Sequence, residues 1–187
     1  MAERARAVLS AGGEVWAGDT TTLREFPPLR AAWAPRGRQA AVVISGRNAR
    51  RSLHGALNVR TGELVRVVTQ RGRGEDVAEA VAALGAVRPG VPKLLVWDNA
   101  PPHHTRAARA VAEAGGVEIA WLPFRSPELN PCEDLWRRLK AVVAANRCYP
   151  AVDELAGRAL NWLDQLAPHD VRRYAGLTAS KFEWLPT

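Results

Sequence analysis

The chain has 187 residues, 47% of them hydrophobic, which is enough for one domain with a proper core. Lys and Arg number 26 against 19 Asp and Glu, a formal charge of +7 carried mostly by arginine, which suits partners that bear phosphate. Two cysteines exclude a disulfide scaffold, no run approaches the roughly 18 apolar residues of a membrane span, and "MAERARAVLS" lacks the apolar stretch of a signal peptide, so the chain reads as cytoplasmic.

In chain order, "ERARAVLSA" predicts a short leading helix that stops at Gly12 and Gly13. "EVWAG" predicts a strand that delivers Asp19, and "TTTLREFPPLRAAWAPRGRQ", with its proline pair and "PRG", predicts a loop. "AAVVIS", "LHGALNV" and "ELVRVVT" predict three short strands, the last two joined by a hairpin turn at "RTGE". "EDVAEAVAALGAV" has apolar residues at helical spacing and is stopped by "RPGVP". "KLLVW" is a continuous apolar run, the pattern of a strand buried on both faces. "HTRAARAVAEAGG" predicts a helix, "VEIAWLP" a strand, and "NPCEDLWRRLKAVVAANR" and "VDELAGRALNWLDQL" two further helices. The order is mixed α/β: an antiparallel meander followed by parallel-type crossovers, flanked by helices.

In such sheets functional groups gather at the carboxyl ends of strands, where Asp19 and Asp98 are expected. Asp98 closes a buried strand, where an ionised carboxylate is costly unless it is solvated, paired or bound to a cation. Capping the segment that begins at Pro101 and Pro102 would explain it equally well. Asp19 alone reads as a turn residue. Glu133 sits one turn into the helix after Pro131, on a face shared with Trp136, Arg137 and Lys140, where salt bridges along the helix are the usual outcome. Together the three acids suggest hard oxygen ligands for two Mg²⁺ or Mn²⁺ ions, a pairing suited to phosphodiester chemistry. Asn130 is placed to cap that helix. His103 stands near Asp98 and would either position a phosphate or water or make a local hydrogen bond. His104 reads as solvent-facing, Trp121 and Trp136 as core, and Arg137 and Lys140 as either DNA-backbone contacts or solvated charges.

Three segments resemble the catalytic domain of the DDE/D transposases, in the bacterial insertion-sequence branch of the mariner-like superfamily: "VWAGDTTTLREFPPLRAAWAPRGRQ", "LLVWDNAPPHHT" and "WLPFRSPELNPCEDLWRRLK". The first acid precedes a Trp-x-x-x-Gly element, here Trp33 and Gly37; the second opens Asp98, Asn99, Ala100 and His103; the third follows Ser126, Pro127, Leu129, Asn130 and Pro131. Asp98 and Glu133 are separated by 34 residues, the spacing of that superfamily. Thr20 stands where the family usually has Glu.

The resemblance implies a ribonuclease-H-like fold, metal bound by Asp19, Asp98 and Glu133, and DNA strand cleavage followed by 3′-OH strand transfer. It also implies double-stranded DNA partners (transposon ends and target) and a homodimer in the active complex. Family members carry helix-turn-helix domains ahead of the catalytic domain, and the stretch before Asp19 is too short for them. Residues 1–187 are therefore expected to form a single catalytic domain, with an upstream-encoded helix-turn-helix subunit as a possible partner. Two other readings compete: a ribonuclease-H-like nuclease without strand transfer, and an inactive DNA-binding remnant.

Overall fold

The structure, a computed structural model, describes residues 1–44, 46–178, 182 and 185. A short helix α1 (Ala2–Ser10) leads into the long strand β1 (Glu14–Arg24), followed by β2 (Arg50–Asn58) and β3 (Leu64–Thr69). Helix α2 (Gly74–Ala86), strand β4 (Lys93–Trp97), helix α3 (Arg106–Ala114) and strand β5 (Val117–Trp121) come next. Helices α4 (Pro131–Leu139), α5 (Val152–Asp164) and α6 (Pro168–Tyr174) follow. The five strands form one sheet in the order β3-β2-β1-β4-β5. β1, β2 and β3 are antiparallel, whereas β4 and β5 run parallel to β1.

Side-chain alternation along the strands divides the interior into two cores. Val15, Ala17, Leu94 and Val96 face α1, α4, α5 and α6 together with Leu135, Trp136 and Leu139. Trp16, Leu95 and Trp97 face the other way, onto Val77, Val81 and Leu84 of α2 and Ala108 and Ala112 of α3. Both faces of β4 are therefore covered, and all five of its residues are buried. No helix among the described residues is long and apolar enough to cross a membrane.

Several expectations need correction. β1 does not stop near Asp19 but continues to Arg24, because Thr20, Thr21 and Thr22 pair with His54, Leu53 and Ser52 of β2. β-branched threonines suit an extended, half-buried strand, and here that preference prevails over a loop reading. The expected strand at residues 40–45 is absent over 40–44, and Ser45 lies outside the described residues. Both edges of β2 are already taken by β1 and β3, and Val43 is left 88% exposed. The helix expected from His104 is preceded by a separate 3₁₀ turn over Pro101–His104, and α3 starts after Thr105, whose hydroxyl caps it by accepting from the Ala108 N–H. The helix expected over residues 130–147 is α-helical only to Leu139 and widens into a π turn over Lys140–Ala144. α6 was not foreseen.

Two glycines allow close approaches. Gly62, at φ 81° in the β2–β3 turn, lies against the Pro168 carbonyl. Gly55, in the middle of β2, lies directly beneath Trp136 of α4, and a Cβ there would meet the indole at 2.5 Å. Gly55→Ala is therefore expected to lift α4 from the sheet and destabilise the fold by about 1–3 kcal/mol, the usual range for an overpacked core. Denaturant unfolding of this variant measures the effect.

Candidate active site

β4 pairs with β1 only as far as Val96 opposite Ala17, so two residues further on Asp98 and Asp19 stand at the same level on neighbouring strands. Strand spacing alone sets their backbones about 5 Å apart. Asp19 lies inside β1 rather than at its end, yet it occupies the point where the parallel part of the sheet stops, because β1 continues past β4 paired with β2 on its other side. By alternation Asp19 shares the face of Ala17, the face that α4 covers.

α4 is docked there by its first turn. The Asn130 side chain caps it, Oδ1 accepting from the Cys132 N–H, while Nδ2 donates to the Gly18 carbonyl at 2.9 Å. The Cys132 thiol donates to the Ala17 carbonyl at 3.1 Å. Pro131 takes the first helical position, where no amide donor is needed. These contacts set Glu133 beside Asp19. Asp19, Asp98 and Glu133 line one open cleft of about 230 Å³, together with Asn99, Ala100, Asn130 and the loop from Leu122 to Pro127. Among the described residues, no three His, Cys, Asp or Glu side chains form a preassembled metal-binding group.

The strand acids have opposite surroundings. Burial, then the charge of Glu133, push the Asp19 carboxyl up to about 8, against an opposing pull from the Thr20 backbone N–H that exceeds the smaller push from Asp98. The Trp136 indole N–H faces Asp19 and also favours its ionised form, but it is buried without a hydrogen bond of good geometry. Asp98 is partly exposed, and its burial cost is outweighed by the hydrogen bond and charge of His103 and by the Ala100 N–H, so its carboxyl is held below the ordinary value. His103 is 3% exposed; its Nδ1 lies 2.6 Å from Asp98 Oδ1 and its ring stacks on Trp97. Asn99 donates through Nδ2 to the Leu122 carbonyl and so ties the end of β4 to the end of β5.

The two expected cations separate. Arg137 is exposed and paired with Asp134 one helical turn back. Lys140 is half-buried, its ammonium disfavoured by burial and supported by the charges of Glu133 and Asp19. Trp136 is 1% exposed, as a core residue should be. Trp121 is only half-buried and stacks with His104, which is therefore not simply solvent-facing.

Sequence reasoning marked Ser126 and Pro127 only as part of the motif before Glu133 and missed the loop from Leu122 to Pro127 as a wall of the cleft, in which Arg125 adopts a left-handed φ of 56°. It also missed a hydrogen-bonded row across three strands. Thr20 Oγ1 meets His54 Nδ1 at 2.9 Å, and His54 Nε2 meets Thr69 Oγ1 at 3.0 Å. Burial lowers His54 to about 4.

Asp19 and His54 give stability opposite dependences on pH. Folded Asp19 keeps a proton up to about 8 that the unfolded chain loses above 3.8, so its contribution falls as pH rises through that window. Folded His54 refuses a proton that the unfolded chain takes up below 6.5, so its contribution falls as pH drops towards 4. The two slopes oppose each other below 6.5, and from there to about 8 Asp19 acts alone. Denaturant unfolding without divalent ions is expected to show stability falling between those two pH values. Asp19→Asn is expected to flatten that window and to be the more stable protein at its upper end; an unchanged slope would assign the proton to another group.

The family profile described as "DDE superfamily endonuclease" matches residues 14–156. An insertion element IS630 uncharacterized 39 kDa protein of Shigella sonnei is 25% identical over 164 residues, covering 85% of this chain and 47% of its own length. The Tc3 transposase of Caenorhabditis elegans is 39% identical over 59 residues, 31% of this chain and 18% of that protein. The chain thus spans about half the length of the Shigella relative. Among solved structures, the Mos1 mariner paired-end complex with Mn superposes with a TM-score of 0.70 at 15% identity, over 98% of this chain and 59% of that one. The catalytic domain of Mos1 mariner transposase gives 0.64 at 14% identity, over 97% and 88%. At such identities the likeness speaks to the fold, which is the ribonuclease-H-like sheet with flanking helices. With its profile covering most of the chain, this protein belongs to the DDE superfamily of endonucleases.

Proposed function

We propose that this chain is the catalytic domain of a DNA transposase, which cuts DNA strands with two divalent cations and joins the freed 3′-OH to target DNA. The observation that carries the reading is the shared cleft of Asp19, Asp98 and Glu133 in a DDE-superfamily chain. The solved likenesses include a Mos1 strand transfer complex and Mos1 paired-end complexes with Mn and Mg. Those facts belong to Mos1. Here they support double-stranded DNA as substrate; a homodimer as the working assembly and an upstream-encoded helix-turn-helix subunit complete the proposal on the strength of the motif resemblance.

The donor set suits the proposed ions. Carboxylates are hard oxygen ligands of the kind Mg²⁺ and Mn²⁺ select. Asp19 is 6% exposed and faces two other acids, so its ionised form needs added positive charge nearby. Asp19, Asp98 and Glu133 would hold the ions, which when bound would activate a nucleophile and stabilise the leaving oxygen at phosphorus. The protein's own groups orient the reaction. Asn130 and Cys132 hold Glu133 against β1, and Asn99 braces the cleft wall. Lys140 sits within the field of Glu133 and Asp19, where its ammonium can meet a phosphate oxygen.

Asp98→Asn and Glu133→Gln keep size and remove charge, and each is expected to cut Mg²⁺-dependent nicking of supercoiled plasmid by at least about a hundredfold while the circular dichroism spectrum stays native. Retained nicking by Asp98→Asn overturns the assignment. End-labelled DNA taken from the two flanks of the gene then distinguishes the activities: joined products support transposition, whereas nicking without joining identifies a nuclease.

A further inference from the structure

His103 belongs to the 3₁₀ turn that follows β4, yet it is among the most buried polar residues of the chain, at 3% exposure. Four contacts hold it, one of them between Nδ1 and the Asp98 main-chain carbonyl at 3.4 Å. Its N–H donates to the Ala100 carbonyl at 2.9 Å, its ring lies 3.9 Å from the Trp97 ring at an interplanar angle of 22°, and its Nδ1 faces Asp98 Oδ1 at 2.6 Å. The turn itself is braced by Thr105, which donates to the Pro102 carbonyl and caps α3. A methyl group on Gly74 of α2 would strike that same threonine, so the turn is packed from beneath.

The polarity of the Asp98 contact is decided by chemistry. At 2.6 Å the carboxylate oxygen accepts and the imidazole donates, so Nδ1 carries the hydrogen. Oδ1 is thereby occupied, and the Ala100 N–H at 3.3 Å points at the same oxygen. Oδ2 receives no hydrogen bond from the described residues, while the carboxylate lines the cleft shared with Asp19 and Glu133. A carboxylate on a free strand end would rotate; this one is pinned by one oxygen.

We propose that His103 is a positioning residue: through Nδ1–H it fixes the Asp98 carboxylate so that Oδ2 alone is presented to a divalent cation in the cleft. The inference rests on the metal-dependent reading above and adds to it a division of labour between the two oxygens of Asp98. Hydrogen-bonded partners behind a ligand commonly govern metal affinity, because they set its orientation before the ion arrives. The buried Trp97 ring performs the same service for His103, leaving it little freedom to swing away.

Two substitutions separate the hydrogen bond from the stacking. His103→Phe keeps a ring over Trp97 but has no donor, whereas His103→Asn loses the ring and keeps an N–H near the position of Nδ1. Mn²⁺ binding to the purified chain, read from the loss of the free-ion electron paramagnetic resonance signal, is expected to weaken by about 10–100-fold in His103→Phe. It is expected to stay near native strength in His103→Asn. Native binding by a folded His103→Phe overturns the inference, as does loss of binding by a folded His103→Asn, which also decides the matter if the Phe variant does not fold. Failure of the unsubstituted chain to bind Mn²⁺ would instead overturn the two-cation reading on which it rests.

Discussion

The docking of the first turn of α4 onto β1 is the constraint on which the site depends. Two side chains make it, Asn130 reaching the Gly18 carbonyl and Cys132 the Ala17 carbonyl, both across more than a hundred residues of chain. Both carbonyls flank Asp19 on its N-terminal side, so the helix is registered against the acid-bearing stretch of the strand. A slip of one helical turn would move Glu133 by about 5.4 Å, comparable to the whole spacing between neighbouring strands. Trp136, one turn on, locks the same helix into the gap left by Gly55.

That docking gathers like charges, and the surroundings distribute the consequences unevenly. Asp19 is enclosed and sits nearest Glu133, so its neutral form is favoured up to about pH 8. Asp98, at the edge of the same cleft, meets a histidine N–H and a backbone N–H and stays ionised. Two identical side chains in one cleft thus differ in charge because one is desolvated beside an acid and the other is hydrogen-bonded by donors. The Cys132 thiol, buried and close to both Asp19 and Glu133, is pushed far up and remains a hydrogen-bond donor rather than a nucleophile.

Beneath the acids the sheet is stiffened by polar as well as apolar contacts. The row Thr20–His54–Thr69 crosses three strands, and it needs His54 neutral, since a charged ring at 2% exposure would carry a large desolvation cost. Thr20 is the neighbour of Asp19, so the row anchors the backbone from which that carboxylate projects. Apolar packing on both faces of β4 does the same for Asp98, with Trp97 supporting His103 from below.

Much of this was legible along the chain because it depends on local grammar. Periodicity marked the helices, "KLLVW" announced a doubly buried strand ending in an acid, and the Ser126-to-Pro131 motif led to Glu133. What remained hidden depends on contacts between distant residues. Extension of β1 through Thr20–Thr22 requires β2 as a partner, and the apolar run before Ser45 finds no such partner, β2 being already flanked by β1 and β3. The switch to a π turn at Lys140 and the short helix α6 carry no comparable signal. The amino-acid sequence by itself determined which acids are available and which element carries each, since strand and helix periods are properties of neighbouring residues. Only the tertiary structure decided that Asp19 stands level with Asp98, that His103 turns inward, and that Arg137 and Lys140 part company, because register, burial and charge pairing are set by residues far apart in the chain.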